Sequence, residues 1–91
     1  MTILDLKDGL DYMMERAMPV IDLTPPEEAA FVALLAALHQ AAAGDSLTAG
    51  GIAGVGTAYR EVAAVLPEGR RTGKNTDVCV ACEIAKELLG A

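Results

Sequence analysis

Apolar side chains recur every three or four residues in four stretches of this chain, and such spacing is typical of amphipathic helices. Proline, glycine and polar clusters separate the stretches, as expected at helix boundaries. The pattern predicts four helices, approximately at residues 4–17, 25–43, 46–66 and 76–89. We therefore expect an all-α fold, either a compact bundle or an orthogonal array, with residues 1–91 forming a single helical domain.

The segment from Thr24 to Gly44 contains the most strongly specified helix. Thr24 can cap it, and Glu27 can reach back to complete a capping box. Pro25 suits the first helical position, and Gly44 suits a left-handed ending. The segment is apolar around almost its whole circumference. We therefore expect it to be buried on several sides, by its own chain or by a second copy.

One stripe of this helix is expected to face the core. Its members are Phe31, Leu34, Leu35, Leu38 and Ala42. His39 lies at the edge of the stripe, where we expect a partly buried histidine. The uninterrupted apolar run from residue 29 to residue 38 is shorter than the roughly 20 residues that cross a bilayer, so no membrane span is predicted.

The first predicted helix combines an apolar inner face with a polar outer face. The residues predicted to face inward are Leu6, Leu10, Met13, Met14 and Ala17. Lys7, Asp11 and Glu15 form a ladder on the solvent side. Pro19 ends the helix, and residues 20–23 are interpreted as an extended strap on the core.

Three methionines lie near the end of the first helix. They are Met13, Met14 and Met18. Methionine fills irregular gaps in cores, and it also forms adaptable partner-binding surfaces. The cluster is therefore interpreted as core, with a partner-binding patch as the alternative.

The third predicted helix contains four glycines, and each costs up to about 1 kcal/mol inside a helix. They are Gly50, Gly51, Gly54 and Gly56. One hypothesis is a flexible loop up to Gly56, with the helix beginning near Thr57. The other is that Gly50, Gly54 and Ala58 form a ridge of small residues where another helix approaches closely. The unbroken apolar period favours the ridge.

The ends of the last two helices are marked by potential capping residues. Asp45 and Ser46 offer caps for the third helix. The last helix is predicted to begin at Asn75 or Thr76 and to stop at Gly90.

The net charge of −6 is concentrated in the first half of the chain. Residues 1–44 contain seven acidic and two basic side chains, whereas residues 45–91 contain six and five. A nucleic-acid-binding protein normally carries the opposite sign, so we expect no direct nucleic-acid binding. The acidic half is either a solvated face or a surface that meets a basic protein. In the second case, the predicted contact residues are Asp5, Asp8, Asp11 and Glu15.

Two glycine-rich stretches resemble nucleotide-binding loops only superficially. The stretch from Gly69 to Asn75 has too few residues between its glycines for a phosphate loop, and no strand precedes the glycines of the third helix. The cations Arg70, Arg71 and Lys74 remain a small patch that could hold an anion near the last helix. A solvated loop is the alternative.

Cys79 and Cys82 form a Cys-X-X-Cys pair at the start of the last helix. At 100° per residue, Cys82 lies at the edge of the apolar face and Cys79 on the polar face. Because N–H groups at a helix start stabilise a thiolate, Cys79 is predicted to be the more reactive thiol. A disulfide between the two is conceivable. The alternative is that both pack as small apolar residues.

We predict no metal site and no cofactor. One Cys-X-X-Cys pair supplies two zinc ligands and His39 a third, which leaves a tetrahedral site one ligand short. No arrangement of serine, base and acid supports hydrolysis or transfer chemistry.

The favoured hypothesis is a small acidic module that binds another protein and has no catalysis of its own. A more specific form is an inhibitor or adaptor, such as a phage- or mobile-element-encoded protein that blocks the nucleic-acid-binding surface of a host complex. The alternatives are a thiol-redox or thiol-switch module using Cys79 and Cys82, and a structural homodimer in which residues 24–44 form the shared core. The apolar helix 24–44, the methionine cluster and the ridge exceed what one short bundle needs to bury, so Gly50 and Gly54 are also predicted to be partner-binding residues. This surplus predicts a homo-oligomer, a dimer in the simplest case.

The N-terminus carries acidic residues and no basic region before an apolar stretch, so no signal peptide is predicted. Two cysteines without an export signal favour a reducing, cytoplasmic setting with free thiols.

Overall fold

A computed structural model describes residues 1–16, 23–67 and 76–90 of the chain. The described residues form four α-helices and no strand. They are α1 (Ile3–Arg16), α2 (Pro25–Ala41), α3 (Ala49–Val65) and α4 (Thr76–Gly90). Each helix overlaps a predicted stretch, with ends that differ by a few residues at most. The prediction of a small all-α bundle is confirmed.

The most extensive helix pair is α2 with α3, and the two helices run antiparallel. Gly51, near the start of α3, lies against Ala41 at the end of α2. Pro26, near the start of α2, lines the same concavity as Val65 at the end of α3. Seven residues join α2 to α3, and such a short connection favours an antiparallel hairpin. Helix α4 packs against the other three helices, and α1 packs mainly against α4 and α2.

The core is almost entirely aliphatic, as the scarcity of aromatic residues requires. Phe31 is its one aromatic member among the described residues. The buried apolar residues are Leu6, Leu10, Met13, Ala30, Phe31, Leu34, Leu38, Ala41, Val55, Ala58, Val62, Leu66, Val78, Ala81, Cys82, Ile84, Ala85 and Leu88. Burial of this set is the main source of stability for helices of this length.

The start of α2 has the predicted capping box. The Thr24 backbone N–H donates to Glu27 Oε1 at 2.9 Å, and the Glu27 N–H donates to Thr24 Oγ1 at 3.4 Å. The end of the helix differs from the prediction. Ala42 caps it in a right-handed conformation with φ −87° and ψ −4°. Gly44 lies beyond this cap and does not adopt the predicted left-handed conformation.

A second reciprocal cap, not predicted from the sequence, begins α1. The Thr2 backbone N–H donates to Asp5 Oδ2 at 2.9 Å, and the Asp5 N–H donates to Thr2 Oγ1 at 3.2 Å. These hydrogen bonds, first from the Thr2 backbone and then from its hydroxyl, hold the pKa of Asp5 below its ordinary value of 3.8.

Helix α3 is capped by Thr48 and not by Asp45 or Ser46. Thr48 Oγ1 accepts a hydrogen bond from the Gly51 N–H at 3.0 Å. All four glycines lie inside the helix, so the hypothesis of a flexible loop up to Gly56 is wrong.

The close approach of another helix of this chain occurs at a glycine other than the two predicted. A Cβ atom at Gly51 would lie 3.3 Å from the Ala41 Cα atom, so α2 and α3 meet there. Gly50 and Gly54 are exposed, and a Cβ atom at either would have no described neighbour within 4 Å. Of the predicted ridge, Ala58 is buried. Within the described chain, the ridge therefore packs at Ala58 and not at Gly50 or Gly54.

Two side chains are more exposed than expected. Met14, predicted to face inward, is 65% exposed, and His39, predicted to be partly buried, belongs to the exposed class. Each lies at the border of its helix's apolar stripe, where a small rotation of the helix decides the outcome. Of the predicted strap, Leu23 is described and is half-buried. Ala17, Met18 and the rest of the strap lie outside the described residues.

Candidate binding surfaces

The outer face of α1 carries a stripe of acidic and apolar side chains. Leu4, Asp8, Asp11 and Glu15 follow one another at helical spacing and are all exposed. They lie opposite the buried side of the helix, which contains Leu6, Leu10 and Met13. Leu4 is 67% exposed, which is unusual for a large apolar side chain in a line of carboxylates. We call Leu4, Asp8, Asp11 and Glu15 the acidic stripe.

Two further large side chains flank the acidic stripe. Met14 is 65% exposed, and Tyr12 is 47% exposed. Of the predicted partner-binding methionines, Met14 therefore lies at the surface. Met13 is buried in the core, and Met18 lies outside the described residues. Asp5 lies at the edge of the stripe, where its carboxylate is engaged in the cap with Thr2.

The outer side of α2 is a second exposed face, and it is almost uncharged. Its exposed members are Pro25, Ala29, Val32 and Ala36, and Val32 is 56% exposed. The described chain therefore does not bury this side of the helix, and its burial by a second copy stays a prediction. Sequence periodicity does not distinguish the buried from the exposed side here, because both are apolar. We call these four residues the outer α2 face.

A shallow concavity of ≈ 500 Å³ follows the outer α2 face. It is lined by Pro25, Glu28, Ala29, Val32, Ala33 and Ala36. A neighbouring concavity of ≈ 320 Å³ lies between α2 and α3, where Val65 is 38% exposed. Ala29 lines both, so the two form one surface along the hairpin.

Cys79 and Cys82 are not joined in a disulfide, and they lie in different environments. Cys82 is 2% exposed and belongs to the core, whereas the sequence placed it at the edge of the apolar face. Cys79 is half-buried in the first turn of α4. The burial of Cys82 fits the interpretation of a small packing residue. The greater reactivity expected of Cys79 stays a prediction.

The predicted anion-binding residues Arg70, Arg71 and Lys74 lie outside the described residues. Across residues 1–16, 23–67 and 76–90, no three His, Cys, Asp or Glu side chains come together in a group that could hold a metal ion. Nor is any helix of the described chain both long enough and apolar enough to cross a membrane.

A scan against protein-family models found no match to this chain. Searches of curated proteins and of solved structures found no significant similarity either.

Two features of the exposed surface were missed from the sequence, namely Leu4 in the acidic stripe and Val32 on the outer α2 face. Each had a recognisable signal. Leu4 precedes Asp8 by one helical turn, which places it on the polar side of α1. Val32 lies one residue after Phe31 and about 100° from it around the helix, outside the arc that contains Leu34 and Leu38.

Proposed function

We propose that this protein acts by binding another protein through the outer face of α1. The exposure of Leu4 and Met14 beside three carboxylates carries the proposal. Single exposed apolar residues are common, but here two large ones and Tyr12 lie on one helix side. Methionine and tyrosine are enriched in protein interfaces because they supply contact area in several orientations. A partner would therefore meet apolar and acidic groups together.

The chemistry of this face defines the partner. Asp8, Asp11 and Glu15 favour a surface with lysine or arginine side chains, and Leu4 and Met14 favour an apolar patch beside them. A basic surface that otherwise holds nucleic acid combines both features. One specific form of the function is therefore an inhibitor or adaptor that covers such a surface in a host complex, as a phage- or mobile-element-encoded protein would. Free thiols at Cys79 and Cys82 suit a reducing, cytoplasmic setting.

The test is affinity capture from the source lysate with the tagged protein and two sets of variants. Leu4→Ser with Met14→Ser removes the apolar contacts, and Asp8→Asn, Asp11→Asn and Glu15→Gln remove the charge. Asp5 is left intact because it caps α1. We expect either set to lower recovery of the partner by about tenfold or more, since each removes several contacts at once.

Matched controls keep the result specific. Glu61→Gln, Glu83→Gln and Glu87→Gln remove three exposed charges from other helices and should leave recovery unchanged. Circular dichroism should show that every variant retains its helices. If both α1 sets bind the partner as the unsubstituted protein does, this face is not the binding surface. Capture that disappears with reductant would move the function to Cys79 and mixed-disulfide chemistry.

A further inference from the structure

The outer α2 face is apolar, regular and uncovered in the described chain. Its residues follow the spacing 25, 29, 32, 36, which alternates steps of four and three, as in helices that pair lengthwise. Three of its four members are alanine or proline, so another helix could approach closely. Val32, 56% exposed, would fill the centre of such a contact.

The few polar groups along this face narrow the choice of occupant. Glu28 borders its beginning, and the same spacing continues to His39, followed by Gln40; all three are exposed. The face itself thus carries one carboxylate, with Glu61 of α3 lining the neighbouring concavity, in a protein of net charge −6. A basic partner would gain more from the acidic stripe of α1. A second acidic copy of this chain meets least repulsion where carboxylates are sparse.

We propose that a second copy of this chain covers the outer α2 face, with the two α2 helices antiparallel about a twofold axis. This arrangement is isologous, so each contact occurs twice. Val32 packs beside Ala36 of the partner subunit, and Ala29 lies at the level of His39 of the partner subunit. The pairing does not use the acidic stripe and does not depend on the function proposed for it.

Polar complementarity fixes the antiparallel orientation. With Ala29 at the level of the partner's His39, the Glu28 carboxylate lies near N–H donors of the partner's His39 and Gln40. A histidine ring offers at least one such donor in either protonation state. A parallel pair would instead place two Glu28 carboxylates together and align two helix dipoles.

Sedimentation equilibrium over a wide concentration range tests the pairing. We expect a reversible dimer, and we expect Val32→Glu and Ala36→Glu each to raise its dissociation constant by at least about tenfold, because each buries an unpaired charge twice. Ala53→Glu is the matched control, since Ala53 is exposed on α3, and it should have little effect. A monomer at millimolar concentration, or a dimer that Val32→Glu leaves intact, overturns the proposal. A different protein found on this face of a monomeric chain also overturns it.

Cross-linking with a short bis-maleimide tests the orientation. Ala29→Cys and His39→Cys are made separately in a Cys79→Ser chain, in which the remaining Cys82 is 2% exposed. A mixture of the two variants should cross-link efficiently, whereas each variant by itself should not. Identical positions are displaced by ten residues, or about 15 Å along the helices. Efficient cross-linking of Ala29→Cys by itself would show parallel helices and overturn the antiparallel arrangement.

Discussion

The inner and outer sides of the α2–α3 hairpin are both apolar, yet they are built differently. On the inner side, Leu34, Leu38, Val55 and Val62 are fully buried. On the outer side, small residues predominate and Val32 is more than half exposed. The inner side therefore contributes most of the hairpin's stability through burial, and the outer side contributes little.

The glycines of α3 show the same contrast. Gly51 lies on the inner side, where a Cβ atom would meet Ala41 and the Thr48 hydroxyl at 3.3 and 3.1 Å. A side chain there would require Ala41 or Thr48 to shift by a few tenths of an ångström. Gly50 and Gly54 face open space inside a helix, where alanine would stabilise the isolated chain. The fold of this chain does not explain why these two positions are glycine.

The largest expected effect on the free energy of unfolding comes from replacing a side chain on the inner side of α2 with alanine, compared with the same replacement on its outer side. Leu34→Ala removes a fully buried side chain and should lower the free energy of unfolding by about 2–5 kcal/mol. Val32→Ala removes an exposed side chain and should change it by less than about 0.5 kcal/mol. Urea denaturation at low protein concentration, where any dimer dissociates, measures both. Equal losses would mean that the outer α2 face is part of the monomer's core.

A smaller effect on stability is expected from replacing glycines of α3 with alanine, and its sign should differ between the inner and the outer side of the hairpin. Gly51→Ala should destabilise the protein by about 1–3 kcal/mol, because the new methyl group meets the Ala41 backbone. Gly54→Ala should stabilise it by up to about 1 kcal/mol, since it restores helix propensity without a clash. Thermal denaturation of both variants provides the comparison. Destabilisation by Gly54→Ala would indicate a contact at that position which the described chain does not contain.

The features that were predicted correctly depend on local sequence. The four helices follow from apolar spacing and from breakers such as Pro19 and Pro67. The cap at Thr24 follows from a threonine three residues before Glu27. Thr2 and Asp5 have the same spacing with an aspartate, so the cap of α1 could have been recognised.

The features that were missed depend on packing between helices. Asp45, Ser46 and Thr48 are all competent caps, and the contact of Gly51 with Ala41 favours Thr48 because it fixes where α3 begins. Periodicity specified the inner stripe of α2. It could not show that the other side lacks a covering helix, because alanine is compatible with either environment. The same ambiguity extends to the candidate site: Met13 and Met14 were both predicted to face inward, and the structure was needed to show that Met13 is buried whereas Met14 is exposed.

The smallest expected effect on stability comes from removing the charge of Asp5 in the cap of α1. The pKa of Asp5 is lowered in the folded protein by hydrogen bonds from Thr2, so its carboxylate stabilises the fold above the unfolded pKa. This contribution is lost as the pH falls through the lowered, folded value. Asp5→Asn should therefore reduce the melting temperature slightly at pH 7 and leave it unchanged at a pH below the lowered, folded pKa, where both chains are neutral at this position.

Melting curves of the two proteins between pH 2 and pH 7 measure this difference. Asp8→Asn is the control, because Asp8 is exposed on the same helix beyond the first-turn cap. It leaves the hydrogen bonds between Thr2 and Asp5 intact and should lower the melting temperature less than Asp5→Asn does. If the melting temperature of Asp5→Asn is lower by the same amount at pH 2 as at pH 7, the amide disturbs the first turn sterically. The charge of the carboxylate would then contribute nothing to the cap. If the melting temperature of Asp5→Asn is lower only at higher pH, the charge of the Asp5 carboxylate stabilises the cap. Asp5 would then have a structural role, unlike Asp8, Asp11 and Glu15, which are proposed to contact a partner.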